Sequence, residues 1–245
     1  MNENEFVSVK RINSLKNGIE TKIGETYTDL TEGVQALMDG YGVDGSGTVD
    51  NIKQRIEGTL ESYSSDTSGS FTANLFKTHP SIFNRNTFLK SVSLPNVTYL
   101  GDGMFQNCSA LTNFEHSNAI TYFGDSCFSY CSALKLEIRN TVPAVIGSNA
   151  FSNSGIQIFD SVITSWGSQC FLNSGLHTLI IRNTELLALS HIYVIQGTPI
   201  YLGTGYIYVP AALIEEYKIA TNWVTVADQL RAIEDYPEIT GGLQE

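Results

Sequence analysis

The chain has 245 residues, 42% of them hydrophobic, and carries a formal net charge of −11. This hydrophobic content suffices for a packed core and excludes wholesale disorder, while the lack of a basic patch argues against binding to a nucleic-acid backbone or an anionic membrane surface. No stretch of about 18 apolar residues is present to cross a bilayer. The charged start of the chain lacks the apolar core of a signal peptide, so we expect folding in a cytosol.

Residues 1–62 are predicted to form a small helical module. Apolar residues recur there at spacings of three and four, which is the pattern of amphipathic helices with one apolar face each. The three apolar stripes are Val9, Ile12, Leu15, Ile19 and Ile23; Leu30, Val34, Leu37, Met38 and Tyr41; and Ile52, Ile56 and Leu60. Helices this short bury little surface alone, so two arrangements stay open: a bundle within one chain, or association with further copies or a larger assembly.

One stretch of this module carries a resemblance. Ser14 to Gly42 (SLKNGIETKIGETYTDLTEGVQALMDGYG) is similar to an N-terminal module common in tail and appendage proteins of phages and prophages of gut and Gram-positive bacteria. In those proteins the module precedes variable C-terminal domains. The resemblance implies that residues 1–62 attach to other virion structural proteins and form a homo-oligomer, with a trimer favoured.

Two glycine- and serine-rich stretches follow the predicted helices or lie among them. Val43 to Asp50 (VDGSGTVD) echoes a calcium loop of the EF-hand type, but the opening carboxylate and the closing glutamate are missing, which favours a simple turn. Residues 63–70 are predicted to be a linker because serine and glycine dominate them.

Residues 71–189 are organised by a repeated segment. Four copies align with one another: LGDGMFQNCSAL (100–111), FGDSCFSYCSAL (123–134), IGSNAFSNSGI (146–156) and WGSQCFLNSGL (166–176). Each copy contains one anchor phenylalanine: Phe105, Phe128, Phe151 and Phe171. Their spacings are 23, 23 and 20 residues, and Phe83 marks a degenerate copy before them. Repeats of this length predict a solenoid whose stacked coils share one core, with the anchors inside.

Positions around the anchor have predicted roles. The glycine four residues before it suits either a positive φ or a tight corner between coils. These glycines are Gly101, Gly124, Gly147 and Gly167. The residue after the glycine (Asp102, Asp125, Ser148 or Ser168) suits the cap of a short helical turn that contains the anchor. Asparagine follows the anchor by two residues in three copies, where its amide can satisfy backbone groups, and Tyr130 replaces it in one copy.

A short strand is predicted after each turn. The segments are SVSL, NFEH, LEI, IFD and TLII, and coil stacking sets them side by side in one parallel sheet, about 4.8 Å apart. His116 and Ser161 fall where the strand register needs an apolar residue. A slip in the alignment is the first explanation, and a functional histidine is the second.

The turn exits carry a second resemblance. NCSAL (Asn107 to Leu111) and YCSAL (Tyr130 to Leu134), in step with the glycine and the anchor, resemble the BspA-like class of leucine-rich repeats over residues 83–176. The resemblance implies an α/β solenoid with short parallel strands. In this chain it is preceded by the small helical N-terminal module and is expected to end in a helical C-terminal cap.

Residues 190–245 depart from the repeat, as the last unit of a solenoid must in order to cover the core. Tyr206 to Val209 predicts a final strand, a helix with Leu213 and Tyr217 follows, and a second helix is expected to carry residues 226–233. Trp223 is predicted to pack between these helices, and the last twelve residues (EDYPEITGGLQE) are expected to be a loose acidic tail. The segment also resembles the closing segment of BspA-like proteins.

Tyr99 and Tyr122 are the candidate ligand-binding residues. They share one column, six residues before their anchors, and exposed tyrosines on a rigid scaffold suit recognition of a sugar or a protein. The alternative is that they only cover the edge of the coils, since isolated surface aromatic residues are common.

The cysteines and histidines suggest no chemistry. Cys108, Cys127, Cys131 and Cys170 all lie inside repeats, in slots that suit a small buried side chain. They are too few in convergent positions for a metal site, and a Cys108–Cys131 bridge is disfavoured in a reducing cytosol. His79 and His177 lack ligand partners at suitable spacing and are predicted to be solvated or packed.

No nucleophile–base pair, phosphate loop, zinc set or paired carboxylates of a glycosidase stands out, so we predict no enzyme activity and no cofactor. We predict a structural virion protein of a bacteriophage, such as a tail fibre or head fibre, whose repeats bind a host-surface glycan or protein. It would be assembled in the host bacterial cytoplasm. The alternative is an adhesin or protein-interaction module at a bacterial cell surface.

Overall fold

The structure is a computed structural model that describes residues 69–72, 77–78 and 80–240. The predicted helical module at residues 1–62, most of the predicted linker and His79 lie outside the described residues. Among the described residues, no helix is long and apolar enough to cross a membrane.

The repeats form coils that each contribute short strands to stacked parallel ladders. The strands are β1 (Ser70–Thr72), β2 (Ser91–Leu94), β3 (Tyr99–Leu100), β4 (Asn113–His116), β5 (Tyr122–Phe123), β6 (Leu136–Arg139), β7 (Ala144–Ile146), β8 (Ile156–Ser161), β9 (Ile163–Trp166), β10 (Thr178–Ile181), β11 (Tyr206–Val209) and β12 (Leu230–Ala232). The α-helices described are α1 (Ile214–Ile219) and α2 (Pro237–Thr240), and 3₁₀ turns cover Ile192–Val194, Ala211–Leu213, Trp223–Gln229 and Ile233–Asp235.

The predicted strands after each turn are confirmed, and all of their pairings are parallel. The prediction of one continuous sheet is wrong, because these strands form two sheets, ordered β1-β2-β4 and β6-β8-β10-β11-β12. At the break, the imidazole Nε2 of His116 at the end of β4 lies 3.2 Å from the carbonyl oxygen of Glu137 in β6. A side chain therefore makes a contact there in place of backbone pairing.

A further sheet, which the sequence did not predict, runs along another side of the coils. Strands β3, β5, β7 and β9 pair in that order and in parallel. All four strands contain the residues five and six positions before the anchor. In β3 and β5 the inner residue, Leu100 or Phe123, is buried and the outer residue, Tyr99 or Tyr122, is half-buried. Strands of two to four residues are too short to show a clear alternating pattern in the sequence.

The anchors form a stack of rings through the core. Ring centroids lie 5.5 Å apart between Phe83 and Phe105, 5.1 Å between Phe105 and Phe128, 5.5 Å between Phe128 and Phe151, and 5.4 Å between Phe151 and Phe171. None of these rings is more than 1% exposed. Burial of a phenylalanine contributes about 1.5–3 kcal/mol, so the stack is a main source of stability.

Close approach of the coils requires three of the repeated glycines, Gly124, Gly147 and Gly167. None of Gly101, Gly124, Gly147 and Gly167 has a positive φ. A Cβ on Gly124 would lie 2.6 Å from the amide nitrogen of Asp102, and one on Gly147 would lie 2.5 Å from that of Asp125. These glycines are therefore explained by a tight corner between coils and not by a positive φ.

Left-handed backbone occurs elsewhere in each coil, two residues before and two residues after the anchor. Examples are Ser126 and Tyr130 around Phe128, with φ of 57° and 61°. Between these positions the amide of Phe128 donates to the carbonyl of Ala150 in the next coil at 2.7 Å. The asparagines after the anchors thus serve mainly to adopt a conformation that their short side chains favour.

The predicted capping role of Asp102 and Asp125 is wrong. The Oδ1 atom of Asp102 accepts a hydrogen bond from the amide of Asp125 at 2.9 Å, and Oδ1 of Asp125 accepts one from the amide of Ser148 at 2.6 Å. Each carboxylate therefore binds an amide of the next coil instead of capping its own turn.

The C-terminal part closes the core with strands as well as helices. Residues 226–233, predicted as a helix, instead end a 3₁₀ turn and form β12, which pairs with β11. Trp223 is fully buried, and its ring lies 5.7 Å from that of Trp166 and 5.2 Å from that of Tyr217. Trp223 is therefore part of the hydrophobic core that it shares with the coils.

The end of the chain is also ordered against the sheet. Residues 233–240, which we name the C-terminal strap, lie over the outer face of β10 and β11. Ile233 and Ile239 are buried there with Ile180 and Tyr208. The prediction of a loose tail is therefore wrong as far as Thr240, because an apolar patch on the sheet is available for the strap to cover.

Candidate functional site

Tyr99 and Tyr122 lie side by side on the outer face of β3 and β5. They are direct partners in the strand register, and their rings stack with centroids 4.5 Å apart and planes 12° from parallel. Both side chains are half-buried. The facing rings cover one another, so ring edges and hydroxyl groups are the parts left for a ligand.

A row of carboxylates runs beside this stack. Asp102 and Asp125 are both exposed, and in each the Oδ1 atom is held by a backbone amide of the next coil. The hydroxyl of Tyr122 donates to Oδ1 of Asp102 over a long 3.4 Å. Tyr99, Tyr122, Asp102 and Asp125 together form what we name the Tyr–Asp edge. It offers donors and acceptors at the spacing of the coils.

The surroundings fix the protonation state of both phenols. Burial raises the pKa of Tyr122 to about 12, with a further contribution from the Asp102 carboxylate, and the same two causes raise the pKa of Tyr99. Both hydroxyls therefore remain donors at neutral pH. Since the pKa of Tyr122 is higher in the folded state, its contribution to stability is complete below about pH 10 and is lost as the pH rises through about 12.

The cysteines lie in the core as free thiols. The Sγ atom of Cys108 donates to the carbonyl of Phe83 at 2.9 Å, and that of Cys131 donates to the carbonyl of Phe105 at 3.0 Å. Burial raises the pKa of Cys108 to about 12 and raises the pKa of the other three thiols. The thiols therefore join neighbouring coils and are poor nucleophiles.

His116 and Ser161 occupy the positions that the sequence alignment gave them. The register sets His116 opposite the buried Leu94 and Ser161 opposite the buried Ile181, so the explanation by a slip is wrong. The His116 ring stacks on Phe114 at 5.3 Å. The Ser161 hydroxyl is fully buried and lies 3.2 and 2.9 Å from the carbonyl oxygens of Val142 and Val162, so its one hydrogen has an acceptor.

His177 belongs to no candidate metal site in the described part of the chain. His177 is exposed, and its Nδ1 lies 2.8 Å from the hydroxyl of Thr178. No group of three or more histidine, cysteine, aspartate or glutamate side chains among the described residues could hold a metal ion.

The outer face of the sheets on the other side of the coils divides into two halves. On β2 and β4 it is polar, where Ser93 donates to Glu115 at 2.6 Å and Asn113 donates to Ser91 at 3.2 Å. On β10 and β11, Ile180 and Tyr208 are apolar and are covered by Ile233 and Ile239 of the C-terminal strap.

Sequence reasoning missed the ion pair that holds the strap. Asp160 on β8 is fully buried, and Arg182 donates to its two oxygens at 2.6 and 2.8 Å. The same guanidinium donates to the carbonyl of Ile239 in the strap at 2.9 Å. One indication of this ion pair is present in the sequence: Asp160 and Arg182 have opposite charges, are 22 residues apart, which is about one repeat, and lie in or beside segments rich in apolar residues.

Comparison with known families agrees with the coil geometry. Residues 77–187 match the model of the BspA type leucine rich repeat region, in six copies. The match covers β2 to β10 and the glycine and anchor positions described above. A search of curated proteins found no match to the chain.

Proposed function

We propose, starting from the BspA-type leucine-rich repeat region that occupies residues 77–187, that this chain is a non-enzymatic recognition protein that binds its ligand at the Tyr–Asp edge. The observation that carries the proposal is the stack of Tyr99 and Tyr122 beside two exposed carboxylates. Protonated phenols lie beside a row of carboxylates on a rigid surface. Such a row suits a ligand with many hydroxyl or amide groups, such as a surface glycan or an extended peptide.

The rigidity of the edge supports binding. Backbone bonds between coils fix both tyrosines in the strand register, and Asp102 and Asp125 are each anchored through one oxygen. Side chains that are already held in place lose little conformational freedom when a ligand binds. The alternative, that the tyrosines only cover the coil edge, predicts that their removal leaves binding unchanged.

Replacing both residues (Tyr99→Ala with Tyr122→Ala) is expected to abolish adhesion of the purified protein to host bacterial cells. The variant should remain folded, because loss of one aromatic pair costs about 0.5–1.5 kcal/mol beyond the lost burial. The measurement is retention of labelled protein on cells, with circular dichroism as the folding check.

Tyr193→Ala is the control, since Tyr193 is also exposed but lies in a different part of the chain. The proposal fails if the double variant adheres as well as the unmodified chain does.

We further propose that the chain is a structural component of a bacteriophage particle, such as a tail fibre or head fibre. Residues 1–62 would dock on other virion proteins and join copies, with a trimer favoured, while the repeats face the host. Support comes from the likeness of Ser14 to Gly42 to modules of phage appendage proteins. The protein would then be found in the virion after assembly in the host cytoplasm.

Copurification tests this assignment. Particles from a phage that encodes the chain are expected to retain it through a density gradient, whereas a version without residues 1–62 should remain in the soluble fraction. Mass spectrometry of the purified particles gives the result. Absence of the full-length chain from intact particles would instead favour the second candidate, an adhesin or interaction module at a bacterial cell surface, which the repeat family also supports.

A further inference from the structure

Tyr130 is an exception within its column. The column two residues after the anchors contains Arg85, Asn107, Tyr130, Asn153 and Asn173, and all have a positive φ. Asparagine enters this left-handed region readily because its short side chain bonds locally, whereas a bulky side chain is disfavoured there. Within the described part of the chain, Tyr130 is the one aromatic residue with a positive φ.

Packing does not account for this tyrosine. Its side chain is 54% exposed. Among residues 80–240, neither its ring nor its hydroxyl has a partner, in contrast to the stacked pair at Tyr99 and Tyr122. A residue that is both disfavoured in its backbone conformation and exposed adds little to stability, and such outliers point to function.

Asparagines occupy the same position in the two neighbouring coils. The backbone N–H of Asn107 donates to the carbonyl of Ser129 at 2.8 Å, and the backbone N–H of Tyr130 donates to the carbonyl of Ser152 at 2.9 Å, so the three coils stack directly here. The side-chain Nδ2 of Asn153 donates to the hydroxyl of Ser152 at 2.9 Å, and its Oδ1 remains as an acceptor. Neighbouring coils are about 4.8 Å apart, which sets Asn107 on one side of Tyr130 and Asn153 on the other. No charged residue lies in this column between Arg85 and Asn173.

We propose that Tyr130, Asn107 and Asn153 form a contact site for a neutral pyranose sugar, on the turn side of the solenoid. The open face of a tyrosine ring suits the apolar C–H face of a pyranose, and carboxamides can both donate to and accept from vicinal hydroxyl groups. The absence of charge favours a neutral sugar over an acidic one. A protein hot spot would instead need apolar neighbours that exclude water, and the neighbours here are amides.

This site is distinct from the Tyr–Asp edge and does not depend on it. Tyr130 follows the anchor Phe128 by two residues, and Tyr122 precedes it by six, on the strand β5. Binding at Tyr130 can therefore persist when the Tyr–Asp edge is mutated, and binding at the Tyr–Asp edge can persist when Tyr130 is mutated.

The test uses the full chain on an array of immobilised neutral pyranosyl oligosaccharides. The key variants are Tyr130→Asn, which restores the residue type of the neighbouring coils, and Tyr130→Phe, which retains the ring. We expect Tyr130→Asn to bind at least about tenfold more weakly than the unmodified chain, while its melting temperature is equal or higher because the backbone strain is relieved. Tyr130→Phe should keep most of the binding.

Each other outcome overturns the proposal. Equal binding by Tyr130→Asn would show that the ring makes no contact, and a lower melting temperature would show that Tyr130 is a packing residue. Binding to none of the arrayed sugars, or binding only to an immobilised protein, would exclude a sugar site. The Tyr99→Ala/Tyr122→Ala variant is run in parallel, because loss of array binding in it alone assigns the sugar to the Tyr–Asp edge.

Discussion

Replacing Gly155 with alanine is expected to destabilise the coil stack by about 3 kcal/mol or more, the upper range for overpacking a close-packed interior. A Cβ at this position would collide with the carbonyl oxygen of Leu134 in the preceding coil and lie 2.9 Å from its carbonyl carbon. Backbone atoms cannot move aside as a flexible side chain can, so the coils must separate. The measurement is the denaturant midpoint, followed by circular dichroism.

The repeat itself explains why this corner is so tight. The exit turn of this coil has one residue fewer than the turns that end at Leu111 and Leu134. The shorter turn brings Gly155 directly onto Leu134, and its amide donates to the carbonyl of Cys131 at 3.1 Å. A glycine is needed because close approach leaves no room for a side chain.

Gly175→Ala is the matched control, since Gly175 has the same position in the next coil. A Cβ there would meet the carbonyl oxygen of Ile156 at 3.2 Å, a contact that a small shift relieves. We expect a cost below about 1 kcal/mol, within the range of ordinary substitutions. Equal destabilisation by the two variants would contradict the argument from close approach.

Replacing Arg182 with methionine is expected to cost about 3–5 kcal/mol, because it leaves the Asp160 carboxylate buried without a partner. Asp160 is fully buried, and both of its oxygens accept from Arg182. The substitution also removes the bond from Arg182 to the carbonyl of Ile239. The strap should therefore detach, which limited proteolysis within residues 233–240 will report together with the unfolding midpoint.

The double variant Asp160→Leu with Arg182→Met separates the two effects. Replacing a buried pair by apolar residues is often neutral or stabilising, so most of the lost stability should return. Cleavage of the strap should fall as well, because its apolar contacts with Ile180 and Tyr208 remain. If the single and double variants are equally unstable, the cost does not come from an unpaired charge.

These two sites have different origins in the sequence. Gly155 lies in the repeat, and the dropped residue that makes it necessary is visible once the copies are aligned. Asp160 and Arg182 are ordinary charged residues in sequence, and only the register of β8 and β10 brings them together. Because burial decides the cost of a charge, the chain alone does not show that this pair is important.

The solenoid, the anchors inside it and the strands after each turn could be predicted from the repeats, because these features recur at a regular spacing. The aligned repeats also single out three tyrosines. Tyr99 and Tyr122 share one repeat position, and Tyr130 stands where three other copies have asparagine.

The partner of each polar group, in contrast, follows from the stacking of the coils and could not be predicted. Asp102 bonds to the next coil and not to its own turn, His116 lies at a break between sheets, and the predicted acidic tail covers an apolar face as far as Thr240. The physical reason is that stacking sets residues about 22 positions apart within hydrogen-bonding distance, and the sequence specifies that a repeat exists but not which groups meet across it.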